Sequence, residues 1–292
     1  MRPEPEPASR LPIVLIALVV LAVAGYFGWR HYQSLQAMPE PEPGPSVAAV
    51  PTPSLPATPL PGDAPPAIQH PFEPPAPEAN APAPTPLPAL AESDGFVRER
   101  LDELMGRTNT LRFLQLDGFV RRVVATVDNL GRDHAPVLMW PVTPTAGRFS
   151  SQKAADGSEV IHPDNAQRYT PLVQLIEAVD SAQAVALYRR LYPLCQAAYE
   201  ELGFPGRYFN DRLVQVMDQL IATPVPEAPP AVALVQVKGE VPSTRPWVRY
   251  EYADPKLEAM TAGQKILLRV GADNQRRLQA KLKDLRARIA RR

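Results

Sequence analysis

The chain has 292 residues with 31 acidic and 31 basic side chains, so its formal net charge is zero. Its only cysteine is Cys195, which excludes an intramolecular disulfide and any metal site built from several thiolates. The 37 prolines are unevenly distributed. They leave roughly 200 residues, from about Glu92 onward, for one folded domain with a hydrophobic core.

The first predicted element is a transmembrane helix over residues 11–29, LPIVLIALVVLAVAGYFGW, which contains no charged side chain. At about 1.5 Å per residue, this length is sufficient to cross a hydrocarbon core of roughly 30 Å. Every face of the helix is apolar, and aromatic residues gather at its C-terminal end, where the headgroup region favours them. The alternative is a cleaved signal peptide ending at Ala22-Val23-Ala24, but the apolar run continues to Trp29.

Basic residues on either side of this helix predict its orientation. Arg2 and Arg10 precede the helix, Arg30 follows it, and the next basic residue is Arg98. The positive-inside rule therefore favours a cytoplasmic N-terminus at residues 1–10 and an exported C-terminal part.

The helix also suggests two partners. The first is the lipid bilayer, which would surround residues 11–29. The second is another copy of the chain, because Ala24 and Gly28 have a small-xxx-small spacing that lets two helices approach closely. A homodimer through these two residues is left open.

A proline-rich tether is predicted over residues 33–91. It contains few large apolar residues, so it cannot bury enough surface to offset the entropy of ordering. We expect a disordered segment with local polyproline II structure. Nine acidic residues and three arginines precede Arg98, which leaves 28 basic and 22 acidic residues from Arg98 to Arg292. The acidic tether thus carries a mildly basic domain, a charge pattern that serves solubility or attracts an anionic partner.

Residues 92–292 are predicted to form a globular domain that is mainly α with a small β-hairpin element. The first helix follows Ser93-Asp94 and ends near Gly106, and a second begins at Asp117. Later apolar stripes predict helices from Asp164 and from Ser181 to Leu202. Two positions have special roles: Pro193 is expected to kink or split its helix, and Asn210 to cap the next one.

Three short stretches favour strands. Asp156-Gly157 is a candidate turn for a hairpin that includes Val160-Ile161. Ala231–Val237 and Trp247–Tyr252 form the second predicted pair, since Val248, Tyr250 and Tyr252 alternate with charged residues.

The chain ends with predicted helices at Ala262–Val270 and Asp273–Ile289. In the second, a 4-3-4 spacing places four apolar residues on one seam: Leu278, Leu282, Leu285 and Ile289. The back of this helix is basic, which would suit anionic lipid or phosphates. Ordinary packing with a solvated basic face is the favoured interpretation, and nucleic acid is disfavoured for an exported domain.

The densest polar stretch runs from Tyr199 to Arg212. Glu200 and Glu201 lie near a helix C-terminus, where the macrodipole is unfavourable for a carboxylate. At least one of them should therefore have a cationic partner, and the nearest candidates in sequence are Arg207 and Arg212. The functional interpretation is a paired-carboxylate acid/base site, and the favoured structural one is a helical corner held by capping and ion pairs. The complete set of candidate interaction or structural residues is Asp128, Asn129, Arg168, Tyr169, Tyr199, Glu200, Glu201, Tyr208, Asn210, Asp211, Arg212, Gln264 and Lys265.

Catalytic and metal-binding patterns give no further candidates. His134 and His162 have no i, i+4 partner, and neither a nucleophile elbow nor a phosphate-binding glycine loop is found. We therefore expect no catalytic residue, metal or cofactor.

Several separated motifs resemble a known bacterial family, the domain of unknown function 3014. They are D-N-L-G-R at 128–132, R-Y at 168–169, A-Y-E-E-L-G-F-P and Y-F-N-D-R within 192–212, A-D-P-K-L-E at 253–258 and A-G-Q-K at 262–265. The resemblance implies a single-pass envelope protein of Gram-negative bacteria with a variable proline-rich linker. The family supplies no established active site, so it assigns no catalytic role to any residue here.

The sequence thus predicts an inner-membrane protein that presents a periplasmic, non-enzymatic binding domain for an envelope protein or glycan. One alternative is an envelope enzyme that uses Glu200, Glu201 and Asp211. The other, a TonB-like transducer, depends only on the shared layout of anchor, proline-rich tether and domain.

Overall fold

The computed structural model describes residues 67–71, 86–235 and 245–290, where nine α-helices and two antiparallel strand pairs form a mainly helical domain. The predicted mainly α class is confirmed for these residues. The predicted transmembrane helix at 11–29 lies outside them. Within the described residues, no helix combines the length and the apolar character that a membrane crossing requires.

The helices, in chain order, are α1 (Asp94–Met105), α2 (Arg107–Phe113), α3 (Phe119–Leu130), α4 (Asp164–Ala178), α5 (Ser181–Glu201), α6 (Phe209–Ile221), α7 (Pro255–Glu258), α8 (Ala262–Arg269) and α9 (Ala272–Ile289). The strands are β1 (Ser151–Lys153), β2 (Glu159–Ile161), β3 (Val232–Leu234) and β4 (Tyr250–Tyr252). Short 3₁₀ turns occupy Leu90–Glu92, Val137–Met139 and Pro246–Val248.

The largest hydrophobic core joins α1, α3, α5 and the start of α6. Val97, Val124 and Phe209 are almost completely buried there. Leu87 and Leu90, which the sequence analysis assigned to the tether, pack against this core. Apolar side chains at the end of the tether therefore contribute to the folded domain.

Helix α3 begins two residues later than predicted, and a residue of another helix receives its first amide groups. The Asp94 carboxylate accepts hydrogen bonds from Gly118 N at 2.8 Å and from Phe119 N at 3.3 Å. Gly118 has φ 61°, a left-handed conformation that glycine adopts without strain. Helix α2 was not predicted, because its sequence RTNTLRF carries almost no apolar stripe.

Helix α5 runs without interruption from Ser181 to Glu201. The expectation that Pro193 could split this helix is therefore wrong. Leu191 and Leu194 on either side of the proline are buried in the core. Their burial offsets the one hydrogen bond that proline cannot donate. The predicted C-terminal boundary is confirmed, with Gly203 at φ 106° directly after the cap residue Leu202.

The predicted seam of α9 is confirmed. Leu282, Leu285 and Ile289 pack against α5 and α6, where they contact a cluster that includes Val214. Two buried glutamines on α9 then hold the chain just after α6, since the Gln279 side-chain amide donates to Thr223 O at 2.7 Å and the Gln275 amide donates to Pro224 O at 3.0 Å. The Gln279 amide also donates to Ile221 O at 3.2 Å, which satisfies an acceptor at the last residue of α6.

The β structure is two short antiparallel pairs, β1–β2 and β3–β4. The hairpin predicted around Asp156-Gly157 is confirmed, and Ile161 N donates to Pro230 O at 3.1 Å, which links the two pairs. The second pair is shorter than predicted. Val248 is 69% exposed and lies in a 3₁₀ turn that begins at Pro246. Proline has no N–H group to donate to a strand ladder, and the strand begins only at Tyr250.

Candidate functional site

The corner between α5 and α6 holds a short segment of the chain, Ala67–Pro71, which bends at Gln69 and His70. The two carboxylate oxygens of Asp211 accept hydrogen bonds from Gln69 N at 3.0 Å and from His70 N at 2.7 Å. The Asn210 side-chain amide donates to His70 O at 2.9 Å. We refer to Asn210 and Asp211 as the main-chain clamp.

Asn210 is held in position for this contact by Tyr188 of α5. Its Oδ1 accepts a hydrogen bond from the Tyr188 hydroxyl at 3.0 Å, and the Asn210 residue is 0% exposed. Burial raises the pKa of Tyr188, so the hydroxyl keeps the proton that it donates. The amide nitrogen of Asn210 is thereby directed to the segment carbonyl.

The prediction that Asn210 caps α6 is wrong, since Asn210 lies within the helix, after the cap residue Tyr208. The first amide group of α6 is satisfied from α5 instead, where Gln196 Oε1 accepts from Phe209 N at 2.9 Å. Because the cap function is met by Gln196, the Asn210 side chain is available for the tether segment.

The clamp recognises the main chain rather than side chains. Asp211 needs two consecutive N–H groups that point the same way, which the bend at Gln69 and His70 provides, and Asn210 needs one carbonyl. Any segment that adopts this bend without proline at the two donor positions fits this pattern. Asp211 lies in the first turn of α6, where the helix dipole stabilises a carboxylate. Hydrogen bonds to an ionised carboxylate are stronger than those between neutral groups.

A buried ion pair lies behind the clamp. Arg212 Nε donates to Asp128 Oδ1 at 3.0 Å, and Arg132 Nε donates to Asp128 Oδ2 at 2.7 Å. The Asp128 side chain is only 6% exposed. Two of the predicted residues, Asp128 and Arg212, are thus brought together from separate helices to anchor the start of α6.

The predicted carboxylates of the corner have separate partners. Glu201 forms an ion pair with Arg121 of α3 at 2.8 Å, and Glu200 accepts a hydrogen bond from the Gln196 side chain at 2.9 Å. The prediction of a cationic partner holds for Glu201, but that partner is Arg121 rather than Arg207 or Arg212. No side-chain contact joins Glu200, Glu201 and Asp211 into one group within the described residues.

The remaining predicted residues support the fold around these groups. Tyr199 is buried and stacks on Phe204 with a centroid distance of 4.6 Å, and Tyr208 packs on Tyr192 at 5.4 Å. Asn129 is half-buried at the end of α3. Gln264 forms a capping box with Thr261, and Lys265 pairs with Glu258 at 2.8 Å.

Arg168 and Tyr169 lie elsewhere, on the wall of a cavity of about 630 Å³. Its other walls come from α3, the segment 137–149, the segment 247–250, α8 and α9, and we call it the Trp140 cavity. Arg168 Nε donates to Ala146 O at 2.9 Å and its Nη2 to Gly147 O at 3.3 Å, so this side chain ties the 137–149 segment to α4.

Sequence reasoning missed several residues that matter at both places. At the clamp they are Tyr188 and Gln196, which no local pattern distinguishes from other helix residues. In the cavity they are Trp140, Arg148, Trp247 and Arg269. Each of the two tryptophans adjoins a proline in an irregular segment. This pattern was visible in the sequence and could have marked both as large apolar residues outside the helices.

Metal ligands do not converge within the described residues, since no group of three or more His, Cys, Asp or Glu side chains lies close enough to hold an ion. A family model matches residues 119–286, more than half of the chain. The chain belongs to this family, described as protein of unknown function DUF3014. Neither a curated protein nor a solved structure matches the chain.

The DUF3014 match gives the two sites a common context. It covers helices α3 to α8 and nearly all of α9, so it includes the clamp residues Asn210 and Asp211. The docked segment Ala67–Pro71 and helix α1 lie outside the matched residues. The family resemblance predicted from the motifs is thereby confirmed.

Proposed function

We propose that this protein is a single-pass inner-membrane protein whose periplasmic domain is a non-enzymatic binding module that captures the main chain of a bent polypeptide segment. The observation that carries the proposal is the set of three hydrogen bonds from the clamp to main-chain atoms of Gln69 and His70. A pair of polar side chains that satisfies both the donors and the acceptor of a peptide main chain is a docking site for a segment with this bend.

The membrane anchor in this proposal is the apolar run at 11–29, and the basic residues around it favour a cytoplasmic N-terminus. The proline-rich segment after it would carry the domain away from the bilayer. Docking of Ala67–Pro71 on the clamp divides that segment, which shortens the free part between the anchor and the domain. A partner segment that displaces Ala67–Pro71 from the clamp would bind the domain and, at the same time, release the full length of the tether.

The alternative of an enzyme that uses Glu200, Glu201 and Asp211 has less support. Acid/base pairs need two carboxylates that perturb each other or a shared reacting group. Here Glu201 is paired with Arg121 and Asp211 is occupied by main-chain amides. The binding module therefore accounts for more of the observed contacts.

The proposal is tested with a fluorescent peptide of residues 65–73, PPAIQHPFE, and the full chain in nanodiscs. The chain carries Gln69→Pro and His70→Pro, which remove both N–H donors of its own segment without a change in formal charge. We expect saturable binding to this variant and weaker binding to the wild type, whose tethered segment competes at an effective concentration of about millimolar.

Two controls distinguish main-chain capture from other binding. A peptide with proline at both donor positions should not bind, and Asp211→Asn in the same variant should weaken binding by about tenfold, because the charged acceptor is lost. If PPAIQHPFE fails to bind the variant, or binds equally well after Asp211→Asn, main-chain capture by the clamp is wrong.

A further inference from the structure

The Trp140 cavity lies apart from the clamp and is not used by the proposed function. Its walls are mainly apolar and aromatic, and its volume of about 630 Å³ falls within the range of roughly 300–1,000 Å³ that ligand pockets occupy. The question is which ligand such a cavity suits.

Charge is the first indication. Three arginines line the cavity, Arg148, Arg168 and Arg269, and no Asp or Glu side chain does so among the described residues. Arg148 is exposed, forms no ion pair with a described residue, and stacks over the Trp247 ring at 4.0 Å. A cation held by an aromatic ring and without a carboxylate partner is available to an anionic ligand.

Unpaired donors are the second indication. Trp140 Nε1 and Arg269 Nε are buried and have no hydrogen-bond partner among the described residues. Buried N–H groups are costly to leave unpaired, and both belong to residues that line this cavity. A ligand that offers acceptors and few donors would satisfy them once the side chains that cover these two nitrogens move aside.

The shape of the mouth is the third indication. The exposed apolar residues Val137 and Val248 belong to the lining, and Leu138 beside them is 83% exposed. The apolar surface therefore continues beyond the cavity, which favours an elongated ligand over a compact one.

We propose that the Trp140 cavity binds an acidic, proline-rich polypeptide segment in the polyproline II conformation. Proline offers carbonyl acceptors without an N–H donor, which matches the unpaired groups of Trp140 and Arg269. Aromatic-lined grooves are a recurring surface for such segments, and glutamates between the prolines complement the arginines. This inference does not depend on the clamp.

The test is a titration of the full chain in nanodiscs with the peptide Ac-PEPEPEP-NH2, followed by tryptophan fluorescence and calorimetry. Ac-PQPQPQP-NH2 removes the charge, and Ac-AEAEAEA-NH2 removes the polyproline preference. The titration is repeated on a chain with Glu40, Glu42, Glu73 and Glu78 changed to Gln, which removes every glutamate of the proline-rich tether at 33–91. We expect saturable binding of Ac-PEPEPEP-NH2 to at least one of the two proteins, at least about tenfold tighter than that of either control peptide.

Variants assign the binding to the cavity. Arg148→Glu should weaken it by at least about tenfold, and Trp140→Phe, which keeps the ring and removes the N–H donor, by several-fold. Arg112→Glu is the matched control, because Arg112 is exposed, stacks on Phe113 at 5.0 Å and lies outside the cavity. Binding that Arg112→Glu and Arg148→Glu weaken equally overturns the proposal, as does the absence of saturable Ac-PEPEPEP-NH2 binding to both proteins.

Discussion

Arg212 and Asp128 are separated by 84 positions in the chain, yet Arg212 Nε donates to Asp128 Oδ1 at 3.0 Å and its Nη2 to Asp128 O at 2.6 Å. The pair joins the end of α3 to the start of α6, directly behind the clamp. The Arg212 side chain is 16% exposed and the Asp128 side chain 6%. Both charges are therefore shielded from water, and Asp128 is the carboxylate that compensates Arg212, whereas Asp128 also pairs with Arg132.

Loss of the Asp128 charge should destabilise the domain strongly. In Asp128→Asn, Arg212 keeps a charge that no carboxylate compensates, so the free energy of unfolding should fall by about 2–3 kcal/mol. Urea denaturation followed by tryptophan fluorescence measures the change. Asp218→Asn, which breaks the more exposed pair with Arg286, should cost about 0–1 kcal/mol. Equal losses in the two variants would contradict the assigned role of the buried pair.

Gly263 marks a close approach of α8 to α3 and α6. A Cβ at this position would lie 2.8 Å from Leu220 Cδ2 and 2.9 Å from the Leu130 carbonyl oxygen. The carbonyl is part of a helix and cannot easily move, so Gly263→Ala should lower the free energy of unfolding by about 1–3 kcal/mol.

Gly95 provides a matched control for this substitution. It is also a helical glycine, but nothing lies within 4 Å of a Cβ built there. Gly95→Ala should therefore raise the free energy of unfolding by about 0.5–1 kcal/mol, because alanine has the better helix propensity. Thermal unfolding of both variants is compared, and a gain in stability for Gly263→Ala would show that the helices do not approach as closely as described.

Cys195 should be inert towards thiol reagents in the native protein. Burial raises the pKa of its thiol from 9.0 to about 12, so the reactive thiolate is scarce at pH 8. We expect Ellman's reagent to label the wild type only when the chain unfolds. A cysteine placed at Leu138, which is 83% exposed, in a Cys195→Ala background should react rapidly under the same conditions. Comparable native rates for the two cysteines would contradict the burial of Cys195.

The same raised pKa makes stability depend on pH in the alkaline range. The unfolded chain releases the thiol proton near pH 9, whereas the folded chain keeps it to about pH 12. The contribution is therefore fully present below pH 9 and is lost as the pH rises between these values. Denaturation at pH 8 and pH 11 should show a smaller loss for Cys195→Ala than for the wild type, and identical losses would refute this contribution.

The proposed topology predicts the behaviour of reporter fusions. Alkaline phosphatase joined after Arg292 should be active, because it folds only after export, and green fluorescent protein at the same site should be dark. The positive-inside bias that supports this orientation rests on Arg2 and Arg10. An inactive phosphatase fusion together with a fluorescent one would place the domain in the cytoplasm.

Features that depend on neighbours in sequence were predictable. The seam of α9, the turn at Asp156-Gly157 and the end of α5 before Gly203 each follow from local spacing or from a residue with a special backbone preference. The family motifs were equally visible, because they are contiguous in the chain. For this reason the mainly helical class and most helix boundaries agree with the structure.

Contacts between distant segments were not predictable in this way. The sequence made Asn210 a cap residue, but Gln196 takes that role from another helix and leaves Asn210 to the segment around His70, 140 positions away. The Trp140 cavity likewise collects side chains from six separate segments. The sequence alone determined which residues repeat at helical spacing, since that is a property of neighbours. Only the tertiary structure decided which polar groups meet, because a hydrogen bond depends on the packing that brings its two partners within 3 Å.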